Sequence, residues 1–229
     1  MTAREVDPRV RAGLERQLVT WRTLVEGGAE RVGWKVGLNT PPVMESLGLA
    51  HPVIGFLTAA TVVESGASHS LGGAAKPLAE PEVSIELRRD VEAGAEADEA
   101  LAAIESLGPA LEVVDIPSQP GPDEVEVATA GNLFHRAVVF GPTRQDAAVS
   151  GAEASISVNG EERERGEVAT DLAETICAVA DVLGSVGERL SAGDRIIAGS
   201  LTTPVELSAG DRVELDLGQL GRVEVSLTE

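Results

Sequence analysis

The chain has 229 residues, of which 43% are hydrophobic and 24% charged, enough for one sizeable folded domain. Its 38 acidic and 18 basic residues give a formal net charge of -20 at pH 7, and a field of that sign disfavours nucleic-acid partners. No apolar run is long enough for a membrane span, and the single cysteine, Cys177, excludes an internal disulfide, so we expect a protein of the reducing cytoplasm without a membrane partner.

The first ninety residues predict one helix followed by strands. Residues 7–27 repeat apolar side chains at helical spacing, and a pair of glycines predicts the end of that helix. Segments 31–39, 51–63 and 79–91 are rich in Val, Ile and Leu between glycine and proline residues, which predicts strands.

The middle of the chain predicts a mixture of both elements. Residues 97–109 predict a helix that stops at its terminal Gly-Pro pair, and residues 110–116 predict a strand. The acidic segment 123–132 fits either a loop or a helix. Residues 135–141 and 154–163 predict strands, the second folded into a hairpin at its Asn-Gly pair.

The C-terminal third contains the clearest helix and a repeated pentapeptide. Residues 171–183 carry one apolar stripe behind Asp171, which resembles the first residue of a capping box. The sequence SAGDR occurs at 191–195 and again at 208–212, which predicts two similar turns that lead into strands. Together these elements predict an α+β protein in which many short strands form a mixed sheet or roll packed by a few helices.

Motifs for the common cofactors and nucleophiles are missing from the sequence. There is no dinucleotide or Walker glycine loop, no cysteine pair, no paired-histidine zinc motif and no serine elbow. His51, His69 and His135 lie without metal-ligand spacing, which favours surface or packing roles for each of them.

The acidic residues in the stretch LAEPEVSIEL, residues 78–87, are the first candidates for chemistry. Glu80, Glu82 and Glu86 share one face of an extended strand. Two interpretations explain the stretch: a half-buried strand whose acidic face is exposed to solvent, and a divalent-cation site. The stretch alone favours the solvent-exposed acidic face. Pro81 removes a backbone donor, which indicates an edge, a bulge or a strand end. Two arginines follow Glu86, so we expect that residue to stay solvated.

Glu112 extends the case for a cation. It stands among Ala, Leu and Val on a predicted strand, where a bare carboxylate needs a partner. Three carboxylates with water form the hard oxygen set that suits Mg²⁺ or Mn²⁺. Among the basic residues only Lys35 and Lys76 are lysines, the side chain that can lose its proton when desolvated. From composition alone, the presence of these two lysines is explained about as well by chance as by a function.

Four segments in a fixed order resemble one known family. GWKVGLN (33–39), KPLAEPEVSIEL (76–87), GPALEVVD (108–115) and GERLSAGDRIIAGSL (187–201) are similar to the 2-keto-4-pentenoate hydratase branch of the fumarylacetoacetate hydrolase family. The likeness runs from about residue 18 to residue 227. It implies a fumarylacetoacetate-hydrolase-like mixed β-roll or barrel, with an N-terminal helical segment (1–30) before a single catalytic domain (31–229).

The resemblance also implies a set of site residues. Glu80, Glu82 and Glu112 would hold Mg²⁺ or Mn²⁺, and Lys35 would be catalytic. Substrate-binding roles fall on four further residues, two near the substrate carboxylate and two lining the pocket: Asn39, Thr40, Asn132 and Ser200. Lys76 lies outside this set.

The implied activity is that of a metal-dependent lyase, a hydratase of a short 2-hydroxy-dienoic or 2-oxo-enoic acid, working as a homo-oligomer, a dimer or higher. Alternatives within the family are decarboxylation of a 2-oxo-dioate and hydrolysis or tautomerisation of an acylpyruvate. A non-catalytic binding member is a third alternative, because the sequence departs from the hydratase pattern at two places and has a shorter N-terminal region. Val53 stands where an acid is usual, and residues 169–171 replace a Gly-His-Pro-like element.

Overall fold

The computed structural model describes residues 5–145, 147–149 and 151–229. Over these residues the chain forms thirteen strands and five α-helices, and none of the helices is long and apolar enough to cross a membrane. The strands are β1 (Arg31–Gly37), β2 (Val53–Thr58), β3 (Val62–Glu64), β4 (Ser68–Ser70), β5 (Pro77–Leu87), β6 (Ile104–Asp115), β7 (His135–Phe140), β8 (Glu153–Val158), β9 (Glu161–Glu167), β10 (Arg195–Ile197), β11 (Val205–Glu206), β12 (Arg212–Asp216) and β13 (Arg222–Thr228). The helices are α1 (Pro8–Glu26), α2 (Pro41–Leu47), α3 (Ala97–Ala102), α4 (Val125–Ala130) and α5 (Leu172–Gly184).

The strands form two sheets. The larger has the order β2-β1-β10-β5-β6-β7-β3, with β11 also pairing to β5, and the smaller has the order β4-β13-β12-β8-β9. Pairs β1–β10, β3–β7 and β4–β13 are parallel and the other pairs are antiparallel. Mixed sheets with a few packing helices confirm the predicted α+β fold. The long antiparallel pair β5–β6 lies at the middle of the larger sheet and carries the candidate carboxylates.

The N-terminal helix α1 packs into the same core as the strands. Asp7 caps it by accepting a hydrogen bond from the backbone N–H of Arg9 at 2.8 Å. Its apolar face is buried, and at Gly13 an added Cβ would come within 2.5 Å of a carbonyl oxygen of α4, so glycine lets the two helices approach. A separate segment 1–30 stays a prediction. The buried residues on that face include Val10, Leu14, Leu18 and Trp21.

The two SAGDR turns have matching hydrogen bonds, which confirms that prediction. In the first, the Ser191 N–H donates to Asp194 Oδ2 at 2.9 Å and the Asp194 N–H donates to the Ser191 carbonyl at 3.0 Å. In the second, Ser208 and Asp211 make the same pair of bonds at 2.8 and 3.1 Å. The turns lead into β10 and β12 respectively.

The predicted helix over residues 97–109 is wrong in its second half. Helix α3 ends at Ala102, and β6 begins at Ile104 and runs through Gly108 and Pro109. A Cβ at Gly108 would lie 2.5 Å from the Pro142 carbonyl oxygen, so this glycine serves a close backbone approach rather than a helix end. Pairing along both edges of β6 overrides the local signal. The uncertain segment 123–132 contains the short helix α4.

Candidate metal centre and active site

Strand pairing brings three carboxylates together. Glu80 on β5 is the register partner of Glu112 on β6, and Glu82 lies two residues further along the same face of β5. One ligand oxygen from each of the three lies within 4.8 Å of the others. Oxygens at that separation can reach a common divalent cation.

Each fully buried carboxylate has one oxygen held by the protein and one oxygen without a partner. Glu82 and Glu112 are both 0% exposed. The Gly199 N–H donates to Glu82 Oε2 at 2.7 Å, while Glu82 Oε1 has no hydrogen-bond partner. Glu112 Oε1 accepts from Lys35 and His135, while Glu112 Oε2 has none. An unpartnered buried carboxylate oxygen is costly, so the donor set fits a divalent cation. Burial of Glu82 also excludes the alternative interpretation, a solvent-exposed acidic strand face, at this position.

Burial and mutual repulsion shift the protonation of this cluster. Burial, followed by the charge of Glu112, raises the pKa of Glu80 from 4.5 to about 7. The same two causes, with the charge of Glu80, raise the pKa of Glu82 well above its usual value. Burial also acts to raise the pKa of Glu112, but the charge of Lys35 and the hydrogen bond from His135 outweigh it and hold that pKa below its usual value. Protons therefore compete with a cation at Glu80 and Glu82.

Lys35 lies beside the carboxylates on β1. Its side chain is 2% exposed, forms an ion pair with Glu112 and donates to the Leu133 carbonyl at 3.2 Å. Gly55, the neighbour of Lys35 on β2, leaves the space for it: a Cβ there would lie 2.7 Å from Lys35 Cγ and 2.6 Å from Asn132 Oδ1. The glycine thus lets the lysine stem and the Asn132 amide pack over the strand.

His135 is the residue that sequence reasoning missed. The sequence favoured a surface or packing role, but the ring is 1% exposed, with Nδ1 2.7 Å from Glu112 Oε1 and Nε2 2.9 Å from Thr61 Oγ1. No spacing along the chain relates His135 to Glu112, because only the β6–β7 pairing brings them together. His51 and His69 are not among the residues that line the neighbouring pocket.

A pocket opens beside Lys35 and Glu80. Of the residues predicted to bind substrate, Asn39, Thr40 and Ser200 line it, and Asn39 is held by donating to the Ala198 carbonyl at 3.2 Å. Two further polar residues, Gln119 and Thr202, also line the pocket and lacked a sequence signal. The rest of the lining is largely apolar: Val36, Leu38, Val43, Val114, Ile116, Leu133, Phe134 and Pro204.

Asn132 is not among the lining residues, in contrast to its predicted place in the pocket. Its amide instead pairs with the backbone of Phe56: the Phe56 N–H donates to Asn132 Oδ1 at 2.8 Å, and Asn132 Nδ2 donates to the Phe56 carbonyl at 3.1 Å. Asn132, Leu133 and Phe134 all have positive φ, at 57°, 51° and 64°. Asn132 thus anchors a left-handed turn that presents the Leu133 carbonyl to Lys35.

Pro81 and Glu86 complete the predictions for β5. Pro81 lies within the strand, opposite the gap between β10, which pairs at Ser84, and β11, which pairs at Ala79. Its carbonyl accepts from the Leu201 N–H at 2.8 Å, so the proline lies at a local edge beside the pocket loop. Glu86 is only half-buried and accepts from Ser106 Oγ at 2.9 Å.

Comparison with known proteins agrees with this fold. The family model for the fumarylacetoacetate (FAA) hydrolase C-terminal region matches residues 34–228. A 2-hydroxyhexa-2,4-dienoate hydratase of Comamonas testosteroni is 32% identical over 216 residues, covering 90% of this chain and 82% of the relative. A 4-oxalocrotonate decarboxylase of a Pseudomonas species is 31% identical over 227 residues, covering 97% and 88%.

Solved structures of a 4-oxalocrotonate decarboxylase from Pseudomonas putida G7 have the same fold. The complex with magnesium and adipate superposes with a TM-score of 0.85 at 24% identity, and the complex with calcium and acetate with 0.84 at 25%. Each comparison covers 92% of this chain and 83% of the other. The family model and the relatives span nearly the whole chain, and the protein belongs to the fumarylacetoacetate hydrolase family.

Proposed function

We propose that the protein is an enzyme, a divalent-metal-dependent hydratase that adds water to a short 2-hydroxy-dienoic acid or its 2-oxo-enoic tautomer. The observation that carries this proposal is the pair of unpartnered buried oxygens, Glu82 Oε1 and Glu112 Oε2, beside a buried lysine at a small-molecule pocket. The hydratase and decarboxylase relatives support a lyase, and the complex of the 25% identical decarboxylase with calcium supports a divalent cation.

The three glutamates are proposed to hold Mg²⁺ or Mn²⁺, the ions that favour carboxylate oxygens and water. When bound, the cation supplies a Lewis acid for the carboxylate and the 2-oxo oxygen of the substrate. Three carboxylates, one dication and the ammonium of Lys35 sum to a charge near zero, so Lys35 offsets the excess negative charge that would otherwise repel an anionic substrate.

Lys35 is proposed to move a proton. Its Nζ is held between Glu112 and the Leu133 carbonyl, and the residue lines the pocket. There Lys35 donates a proton to the terminal carbon and recovers one from the 2-hydroxyl, as the dienol becomes a 2-oxo-enoate. Water then adds across the remaining double bond, with hydroxyl at C4 and hydrogen at C3. Asn39, Thr40 and Ser200 are proposed to form hydrogen bonds with the substrate.

The pocket favours a monoacid, and therefore hydration over decarboxylation of a dioate. Among the described residues that line it, Lys35 is the only cation, and it is already paired with Glu112. The other lining residues are apolar or neutral apart from Glu80, so a second substrate carboxylate would be desolvated without a partner of opposite charge.

Product mass separates the candidate reactions. Purified protein with Mg²⁺ is incubated with a 2-hydroxy-dienoic monoacid, a 2-oxo-enedioate and an acylpyruvate. We expect gain of water by the monoacid, abolished by EDTA and restored by added Mg²⁺. Loss of carbon dioxide from the dioate as the faster reaction contradicts the proposal in favour of a decarboxylase, and cleavage of the acylpyruvate favours a hydrolase.

The setting of the enzyme is proposed from the sequence. The single cysteine, Cys177, lies buried without a disulfide, which agrees with a reducing cytoplasm. A homo-oligomer is proposed from the family likeness and because symmetric assemblies of one chain are common among soluble enzymes.

A further inference from the structure

His135 connects the candidate metal centre to the loop after β2. Thr61 Oγ1 lies 2.9 Å from His135 Nε2 and 3.1 Å from the Thr58 carbonyl, so this hydroxyl links the ring to the loop. On the other side of the ring, Nδ1 lies 2.7 Å from Glu112 Oε1. The buried ring is thus held at both nitrogens, with Glu112 at one end and the Thr61 hydroxyl at the other.

The backbone before His135 is built to hold this position. Three consecutive left-handed residues without glycine are unfavourable, by roughly 1–2 kcal/mol each. The turn is held at Asn132, whose amide pairs with the Phe56 backbone, and at Leu133, whose carbonyl accepts from Lys35. Strain of this kind persists where surrounding contacts fix it, and it clusters at functional sites. It sets the backbone from which the His135 side chain reaches Glu112.

His135 and Lys35 both contact the same oxygen of Glu112. Oε1 receives the two donors and Oε2 receives none. Without the imidazole, nothing on that side fixes the rotation of the carboxylate, and Oε2 can turn towards the lysine ammonium. The oxygen offered to a cation would then be shared with Lys35, and the cation would bind less tightly.

We propose that His135 is a positioning residue that fixes the rotation of Glu112, so that Oε1 stays with the protein and Oε2 stays free for the metal ion. The proposal rests on the proposed function only in taking Glu112 as a metal ligand. Outer hydrogen bonds of this kind typically change metal affinity by about 10–100-fold when they are removed.

Two substitutions separate the two ends of the ring. In His135→Asn the side-chain N–H₂ lies near the former Nδ1 and can still donate to Glu112, whereas in His135→Gln it lies near the former Nε2 and reaches towards Thr61. Both variants lose the ring, so loss of packing is common to them. We expect Mn²⁺ affinity, measured by titration calorimetry, to fall about 10–100-fold in His135→Gln and to stay within about threefold of wild type in His135→Asn.

Two further variants control the comparison. Thr61→Val keeps the shape of the side chain and removes the oxygen that fixes Nε2, so we expect an intermediate loss of Mn²⁺ affinity, about three- to tenfold. His51→Gln, at a histidine outside the pocket lining, should bind Mn²⁺ as wild type does. Thr61→Val leaves the histidine in place, so it tests the proposal even if both His135 variants fail to fold.

The outcomes separate this proposal from the proposed function. Wild-type affinity in His135→Gln or in Thr61→Val, or equal losses in the Asn and Gln variants, would overturn the positioning role while the hydratase assignment stands. If the wild-type protein binds Mn²⁺ but hydrates no 2-hydroxy-dienoate, the function fails and the calorimetric ranking still decides the role of His135. Failure of the wild-type protein to bind Mn²⁺ overturns both.

Discussion

Glu80 and Glu112 face each other directly across the antiparallel pair β5–β6. Two acidic residues in that position repel each other, and the pair is destabilising unless something of opposite charge lies between or beside them. Lys35 forms its ion pair with Glu112, and the nearby Glu82 adds a third carboxylate. The arrangement is therefore costly for the metal-free protein and becomes favourable when a dication binds.

Removing the charge of Glu82 should separate metal binding from stability. In Glu82→Gln the amide oxygen can still accept from Gly199, while the buried negative charge is gone. We expect Mg²⁺ affinity to fall by at least about 100-fold, since a ligand is lost. The melting temperature of the metal-free protein should equal or exceed that of wild type. Glu86→Gln, on the same strand but outside the cluster, is the control and should change neither; tight Mg²⁺ binding by Glu82→Gln contradicts its place as a ligand.

Lys35 should be needed for turnover but not for metal binding. We expect Lys35→Met to lower kcat by about 10²–10⁴-fold, the usual contribution of a positioned acid or base. Mn²⁺ binding by calorimetry should remain measurable, because the three carboxylates are unchanged. Lys76→Met is the matched control at the other lysine, whose Nζ lies exposed at 3.8 Å from Glu206. Equal kcat in the two variants would remove Lys35 from the reaction.

Metal affinity should fall with acid. A carboxylate must lose its proton to bind the cation, and the pKa of Glu80 is about 7 because of burial and the charge of Glu112. Apparent Mg²⁺ affinity should therefore fall as the pH drops through about 7, by up to about tenfold per unit for each proton that the cation displaces from Glu80 and Glu82. Calorimetry across this range checks it, and an affinity that is constant down to about pH 5 contradicts a shared, proton-competing site.

The metal-free protein should show the opposite dependence in its stability. Because the pKa of Glu80 is higher in the folded chain, about 7 against 4.5, the folded state binds the proton more tightly. The contribution of this group to the free energy of unfolding is present below pH 4.5 and is lost as pH rises to about 7. Saturating Mg²⁺ should remove this trend, so denaturant unfolding with Mg²⁺ and with EDTA should diverge as the pH rises.

A side chain at position 55 should lower both stability and activity. A methyl group there meets the stem of Lys35 and the Asn132 amide at under 3 Å, so Gly55→Ala forces both to move. We expect a loss of about 1–3 kcal/mol in stability and a fall in kcat. Gly121→Ala is the control, since the nearest atom to its new Cβ lies 3.6 Å away. Wild-type kcat in Gly55→Ala would show that the placement of Lys35 is not critical.

The sequence allowed prediction of the elements that depend on local signals. The SAGDR turns and the Asn159-Gly160 hairpin follow from residues whose side chains or glycines make the turn by themselves. The two glutamates of the E-x-E stretch could be placed on one strand face because successive side chains of a strand alternate between its faces. The end of α3 could not, because β6 owes its length to pairing with strands distant in the sequence.

Some residues of the candidate site could be predicted from the sequence and others could not. Glu80, Glu82, Glu112 and Lys35 could be predicted from residue chemistry together with the family pattern, and the structure places them together. His135, Gln119 and Thr202 had no such pattern, and only the β6–β7 pairing and the loops around the pocket bring them close. The left-handed turn at residues 132–134 was equally hidden, because leucine and phenylalanine rarely adopt positive φ.

Crystals soaked in Mn²⁺ test the central claim most directly, through the anomalous scattering of the ion. The account predicts one peak between β5 and β6, about 2.0–2.3 Å from Glu82 Oε1, from Glu112 Oε2 and from one oxygen of Glu80. A peak that touches none of these atoms, or no peak in crystals saturated with Mn²⁺, would contradict it.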